Sequence, residues 1–356
     1  MAICTVQRSG ITFTLVPPWA MLGENVVCVF TNEDNPAELT LRKQVEAGTT
    51  GATDAPADWT LTATPQDIPD QDPVSGDGAD GVTDVNVIAG TYDLSEAGPE
   101  GYDASDWTCE GAGGTLEGSA VTLTNGASVT CTITNTAQPS SLTLVKEVVN
   151  DAGGAAVPTD WTLSATGPTA GISGVTGSAP VTNRDVAVGS YALAESGGPA
   201  GYGASDWVCL ADGSPVPVVA GSVSVGLGTD VTCTITNDDA PGTLTLVKEV
   251  VNDNGGTAEA GDWTLSADGP TPITGTSGSD PVTGATVESG AYDLSESGPA
   301  GYTASDWDCG DATLEGSTVT VPNAGDVTCT ITNDDQPGTL TLVKDVVNDN
   351  GGAADA

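Results

Sequence analysis

The sequence predicts an all-β chain built from tandem β-sandwich repeats. Three observations carry that expectation. A set of motifs recurs at a spacing of about one hundred residues, marked by Lys43, Lys146, Lys248 and Lys344 in LTLxKxV. The chain holds 47 Gly and 22 Pro, with Thr and Val throughout and no apolar run of helical period, which reads as short strands joined by turns. Its eight cysteines fall into local couples, one per repeat.

Each element of the repeat has its own signal. LTLxKxV alternates apolar and polar residues and predicts a first strand. DWTL follows, centred on Trp59, Trp161 and Trp263. YxLxE then begins at Tyr92, Tyr191 and Tyr292, and leads into the turn GPxGY, or GGPAGY in the second repeat. SDWxC contains Trp107, Trp207 and Trp307, and VTCTITN closes each unit at Asn135, Asn237 and Asn333. Complete repeats are expected over residues 36–137, 138–239 and 240–335. Residues 1–35 carry the end of a partial repeat, and residues 336–356 only the first strand of a further one. Units of this size suit one sandwich domain each. The short Pro-containing linkers, such as 334–338, predict an elongated, semi-rigid array. The six motif tryptophans read as core residues rather than ligand platforms, because they recur with the fold.

Charge narrows the function. With 49 acidic residues against 7 basic ones and no His, the net charge is −42. Nucleic-acid binding needs Lys and Arg, so it is excluded, and so is docking on an anionic membrane. At 38% hydrophobic residues the chain is too apolar for charge-driven disorder. No apolar run is long enough to span a bilayer, so no membrane insertion is expected in this segment. The opening MAICTVQRSG lacks the charged and apolar regions of a signal peptide, and the chain reads as a piece of a longer exported protein.

The cysteine couples are Cys4/Cys28, Cys109/Cys131, Cys209/Cys233 and Cys309/Cys329. An even count at repeated spacing predicts disulfides within repeats and an oxidising compartment. Zinc would need about four ligands in one place, and each repeat offers two Cys and no His. Free buried thiols are the remaining alternative. The loops NDAGG at 150–154 and NDNGG at 252–256 and 348–352, the TNDD junctions and the insert at 70–80 offer oxygen ligands for calcium. None fits an EF-hand, and acidic Gly loops read first as solvated turns. No metal and no cofactor is therefore assigned.

Lysine usage is the most telling feature. The chain has four lysines, all at one motif position, although its many acidic residues would accept lysine anywhere. Strand alternation places Lys248 on the face of Leu244, Leu246 and Val250, places Glu296 with Tyr292 and Leu294, and places Asn333 with Val327, Cys329 and Ile331. Three polar residues per repeat thus point inward, where isolated charges are costly and the groups should meet. Burial lowers a lysine pKa and raises a glutamate pKa. A neutral amine is a nucleophile, and a protonated carboxyl can polarise an amide and shuttle protons. The product would be a Lys–Asn isopeptide bond with loss of ammonia. The alternative is a buried Lys–Glu ion pair hydrogen-bonded to Asn.

In this order of motifs, with YDLSESGPAGY at 292–302 the most specific piece, the chain resembles the collagen-adhesin B-type, or SpaA-type, prealbumin-like domains of Gram-positive surface adhesins and pilins. The resemblance spans the three full repeats and implies a prealbumin-like (Ig-like) sandwich. It maps the family's self-generated isopeptide bond onto Lys43, Glu96 and Asn135, onto Lys146, Glu195 and Asn237, and onto Lys248, Glu296 and Asn333. The cysteine pair departs from the commonest form of the family.

Function is expected to be structural: a stalk or spacer of a secreted or cell-wall protein, whose partners are the neighbouring repeats of the chain and an extracellular ligand of unknown identity. The competing expectation is an adhesive module for a host, polysaccharide or mineral surface, which would show a patch of exposed aromatics. The sequence carries no His, nucleophile elbow, phosphate loop or Cys–His couple, so no enzyme is expected.

Overall fold

A computed structural model describes the backbone of residues 4–8 and 11–15 and all of residues 34–355. Cys4–Arg8 and Ile11–Leu15 form an antiparallel pair. Cys28 lies outside the described residues, and with it the Cys4/Cys28 pairing. The remainder groups into two compact units. One holds the first repeat; the other takes in the turn at 48–52 and everything from Ala137 onward.

The second repeat shows the architecture most clearly. One sheet runs Arg184–Val186, Ser140–Val149, Asp230–Asp239, Val208–Ala211 and Ser214–Val216, with Tyr202–Ala204 also against Asp230–Asp239. The other runs Ile172–Gly174, Trp161–Thr166, Gly189–Gly197, Ser222–Val225 and Val218–Val219. The third repeat repeats this plan around Gly242–Val251, Asp326–Asp335 and Gly290–Ser297. Between the sheets each repeat has its own core. In the third it is built on Leu244, Leu246, Leu265, Tyr292, Val319 and Ile331. Separate clusters around Leu39 and Tyr92, and around Leu142 and Tyr191, fill the other two. Such two-layer packing is what alternating strands require to bury their apolar faces.

The first repeat differs in one respect. Its strand Ala120–Ala137 runs unbroken from one layer to the other, with a register shift between Leu123 and Ser128, and merges the two layers into a single eight-stranded sheet. In the second repeat the corresponding segment is interrupted around Gly226 and Gly228, and in the third around Pro322 and Gly325. A proline cannot donate to a ladder, and these residues break the pairing that the first repeat keeps.

The first and last strands of every repeat are parallel neighbours. Lys43 stands opposite Ile133 and Val45 opposite Asn135; Lys146 opposite Ile235 and Val148 opposite Asn237; Lys248 opposite Ile331 and Val250 opposite Asn333. Residues 336–355 form no strand among the described residues and leave Leu340, Leu342 and Val343 exposed.

Candidate functional site

The inward turn of the three polar residues holds in each repeat. Lys43, Lys146 and Lys248 are buried, as are Asn135, Asn237 and Asn333. Lysine and asparagine sit on adjacent parallel strands, two register positions apart on one face. Strand spacing and rise put their Cα atoms about 8 Å apart, a gap that the four-methylene lysine stem bridges. The glutamate comes from the facing layer. Glu195 and Glu296 approach Lys146 and Lys248 at 3.0 and 3.1 Å, and Lys43 donates to Glu96. Lys248 Nζ also lies 3.3 Å from the carbonyl oxygen of Ile331.

Burial is unequal within the trio. The lysine side chains are fully enclosed, whereas the glutamates keep 13–16% exposure. The reason is visible in the pairing: Ser222–Val225 covers only Gly189–Ala192 of the glutamate strand, so the end carrying Glu195 has an open edge. Burial pulls all three lysines below the ordinary amine range, against the opposing effect of the adjacent carboxylate. The carbonyl oxygens Oδ1 of Asn135, Asn237 and Asn333 are buried without a hydrogen-bond partner. Such an orphan is rare in a folded interior and calls for a reason. Chemically, each trio presents a desolvated amine, a carboxyl group able to carry a proton, and an amide awaiting a donor.

Sequence reasoning located these nine residues and missed what surrounds them. The indole of Trp59, Trp161 or Trp263 lies over the lysine, with Nζ at 5.0, 4.9 and 5.1 Å from the ring centroid. These tryptophans are buried as expected, yet their place is above the charged cluster and not in the hydrophobic clusters between the sheets. The Asp of each DWTL motif sets the approach. Asp58, Asp160 and Asp262 accept the backbone N–H three residues earlier and close a short 3-10 turn ahead of the tryptophan. GPxGY completes the surroundings: Tyr102, Tyr202 and Tyr302 meet the indoles edge-on. The recurrence of both motifs with LTLxKxV was the available signal.

Disulfides join Cys109 to Cys131, Cys209 to Cys233 and Cys309 to Cys329, stapling the short SDWxC segment to the last strand. The acidic Gly loops at 150–154 and 252–256 are turns wrapped around a carboxylate. Asp239, buried at the end of the last strand, accepts the N–H groups of Asp151, Ala152 and Gly154; Asp335 does the same for Asp253, Asn254 and Gly256. Ala137 occupies the equivalent place in the first repeat, whose loop lacks the motif.

The family model of the prealbumin-like fold domain matches the chain three times, over residues 34–133, 137–235 and 239–331. No curated protein matches. Among solved structures, the Bacillus anthracis TIE protein is similar at 14% identity and a TM-score of 0.46, over 85% of this chain and 51% of that one. The pilus adhesin SpaC of Lactobacillus rhamnosus GG is similar at 12% identity and a TM-score of 0.29, over 85% and 44%. Two B repeat units of the collagen binding protein of Staphylococcus aureus are similar at 14% identity and a TM-score of 0.24, over 86% and 74%. The chain thus spans about half the length of the first two.

Proposed function

This chain belongs to the family of prealbumin-like fold domains, and we propose that its repeats form a covalently braced stalk of an exported, cell-surface protein. The domains of the stalk are 36–137, 138–239 and 240–335. Each is closed by a bond between Lys43 and Asn135, between Lys146 and Asn237, and between Lys248 and Asn333. One observation carries this reading: a desolvated lysine on the first strand, an asparagine with an unpartnered amide oxygen on the last, and a carboxylate beside the lysine occur together three times. In each, the lysine ammonium gives one proton to the glutamate, and the neutral Nζ attacks the asparagine Cγ. A second proton passes from Nζ through the glutamate to Nδ2, the Cγ–Nδ2 bond breaks, ammonia leaves, and the glutamate stays protonated beside the new amide. The reaction happens once per domain, so it is self-modification and not turnover.

Such a bond changes how the domain carries load. Tension entering at the first strand passes through the amide to the last strand, and the residues between them stay folded. The disulfides favour an oxidising location outside the cell. An adhesive module would present exposed aromatics, whereas Trp59, Trp107, Trp161, Trp263 and Trp307 are buried.

Single-molecule pulling under reducing conditions tests the stalk. The native chain is expected to release no length from within a repeat. Glu296→Ala should add one unfolding step for the 85 residues between Lys248 and Asn333, about 300 Å of extended chain. Native repeats that unravel fully under force would refute the brace.

A further inference from the structure

We infer that the DWTL tryptophan is the positioning residue of the crosslinking reaction, and that the glycine and tyrosine of GPxGY exist in this fold to hold it. The inference rests on the isopeptide reading above and assigns to each repeat a clamp that the reading does not require. The geometry is the same three times. The indole face lies 4.9–5.1 Å from Nζ, and the tyrosine meets that indole edge-on at 5.0–5.4 Å. The indole is also pressed against a glycine. A Cβ added at Gly98, Gly198 or Gly298 would stand 2.3, 2.2 or 2.3 Å from an indole atom, closer than any packed pair allows. Only glycine fits there. The tyrosine hydroxyl is itself anchored: Tyr302 donates to Asn252 and Tyr202 to Asn150, in the acidic loops, while Tyr102 donates to Asp54.

A ring face suits both ends of the reaction. Before it, the electron-rich face attracts the lysine ammonium, which fixes an otherwise floppy stem. After it, the same face can receive the N–H of the new amide. Throughout, the indole occupies space that water would otherwise take, which keeps the lysine side chain fully enclosed. A carboxylate alone would hold the charge but leave Nζ free to swing about it. With glutamate on one side and the ring above, Nζ has one place to be, and a displacement of about 1 Å is enough to slow such a reaction by about 100-fold.

The test uses the full chain made by cell-free synthesis, with intact mass followed over time. The two unaltered repeats act as internal clocks. In Trp263→Leu, two ammonia losses should keep the native rate and the third should slow by about 100-fold. Trp263→Phe, which restores a ring face, should recover most of that rate. Gly298→Ala, which leaves every reacting group in place but displaces the indole, should slow the third loss as well. Should Trp263→Leu fail to fold, seen as a Cys309–Cys329 bridge that does not form, Trp263→Phe and Gly298→Ala decide. Native rates of the third loss in Gly298→Ala, or in a folded Trp263→Leu, overturn the clamp while leaving the crosslink intact. A native chain that never loses ammonia removes the crosslink itself, and the clamp with it.

Discussion

Asn333→Ala separates a crosslinked third repeat from an ion-paired one by the size of its effect. Asn333 Oδ1 is buried and accepts no hydrogen bond, so in an unlinked domain its removal strands no donor and opens only a small gap. The cost should then stay near 1 kcal/mol, the centre of the range for ordinary substitutions. In a linked domain the same change deletes a closure between Lys248 and Asn333, 85 residues apart. The chain-entropy model assigns such a loop about 4.5 kcal/mol, against about 3.3 kcal/mol for the 20-residue disulfide span. For a domain of this size that corresponds to a fall in Tm of roughly 20–35 °C. Calorimetry of the full chain reads this directly, because the first two repeats supply reference transitions. A third transition that moves by only a few degrees would refute the reasoning. A loss larger than that of Cys309→Ala/Cys329→Ala would support it.

Two further expectations follow from the same geometry. In Asn333→Ala, Lys248 becomes a free buried amine whose folded pKa lies below its unfolded value of 10.5. Between those two values the unfolded chain holds the extra proton, so the third repeat should gain stability as pH rises toward 10.5. A crosslinked native chain would have no such amine, so pH-dependent denaturant titrations should show the slope in the variant alone. Asp239→Ala should leave the N–H groups of Asp151, Ala152 and Gly154 without their acceptor, at about 1–3 kcal/mol for a stranded donor. The loop they form offers the Ala152 carbonyl to the N–H of Ser289 in the third repeat. Hydrogen exchange should therefore quicken at Ser289 as well as in the loop, with Leu246 in the third core unchanged; exchange confined to the loop would contradict the coupling.

Strand alternation sufficed to place Lys248, Glu296 and Asn333 on inward faces, because period-two patterning is a local property of an extended chain. The same logic found the cysteine couples and the repeat itself. It did not show that the first and last strands run parallel and adjacent, since that pairing joins residues more than eighty positions apart. Nor did it show how far each group is enclosed. Glu296 retains an exposed edge because its strand outruns the neighbour that would cover it, which only the sheet order reveals. The tryptophans show the limit most clearly. Recurrence marked Trp263 as part of the fold, and hydrophobicity suggested the core, but a ring over an ammonium looks identical in sequence to a ring among leucines. Asp239 and Asp335 were hidden likewise: acidic Gly-rich loops suggested calcium or solvated turns, and that backbone amides gather on a carboxylate from the last strand follows only from the folded chain.

The central claim is covalent, and the intact mass of the fully reduced chain tests it most directly. Three closed repeats require a mass lower than that of the sequence by three molecules of ammonia, and Glu296→Ala should restore one of the three after allowing for the substitution. A reduced chain whose mass equals that of its sequence would contradict the account and leave three buried ion pairs in place of three bonds.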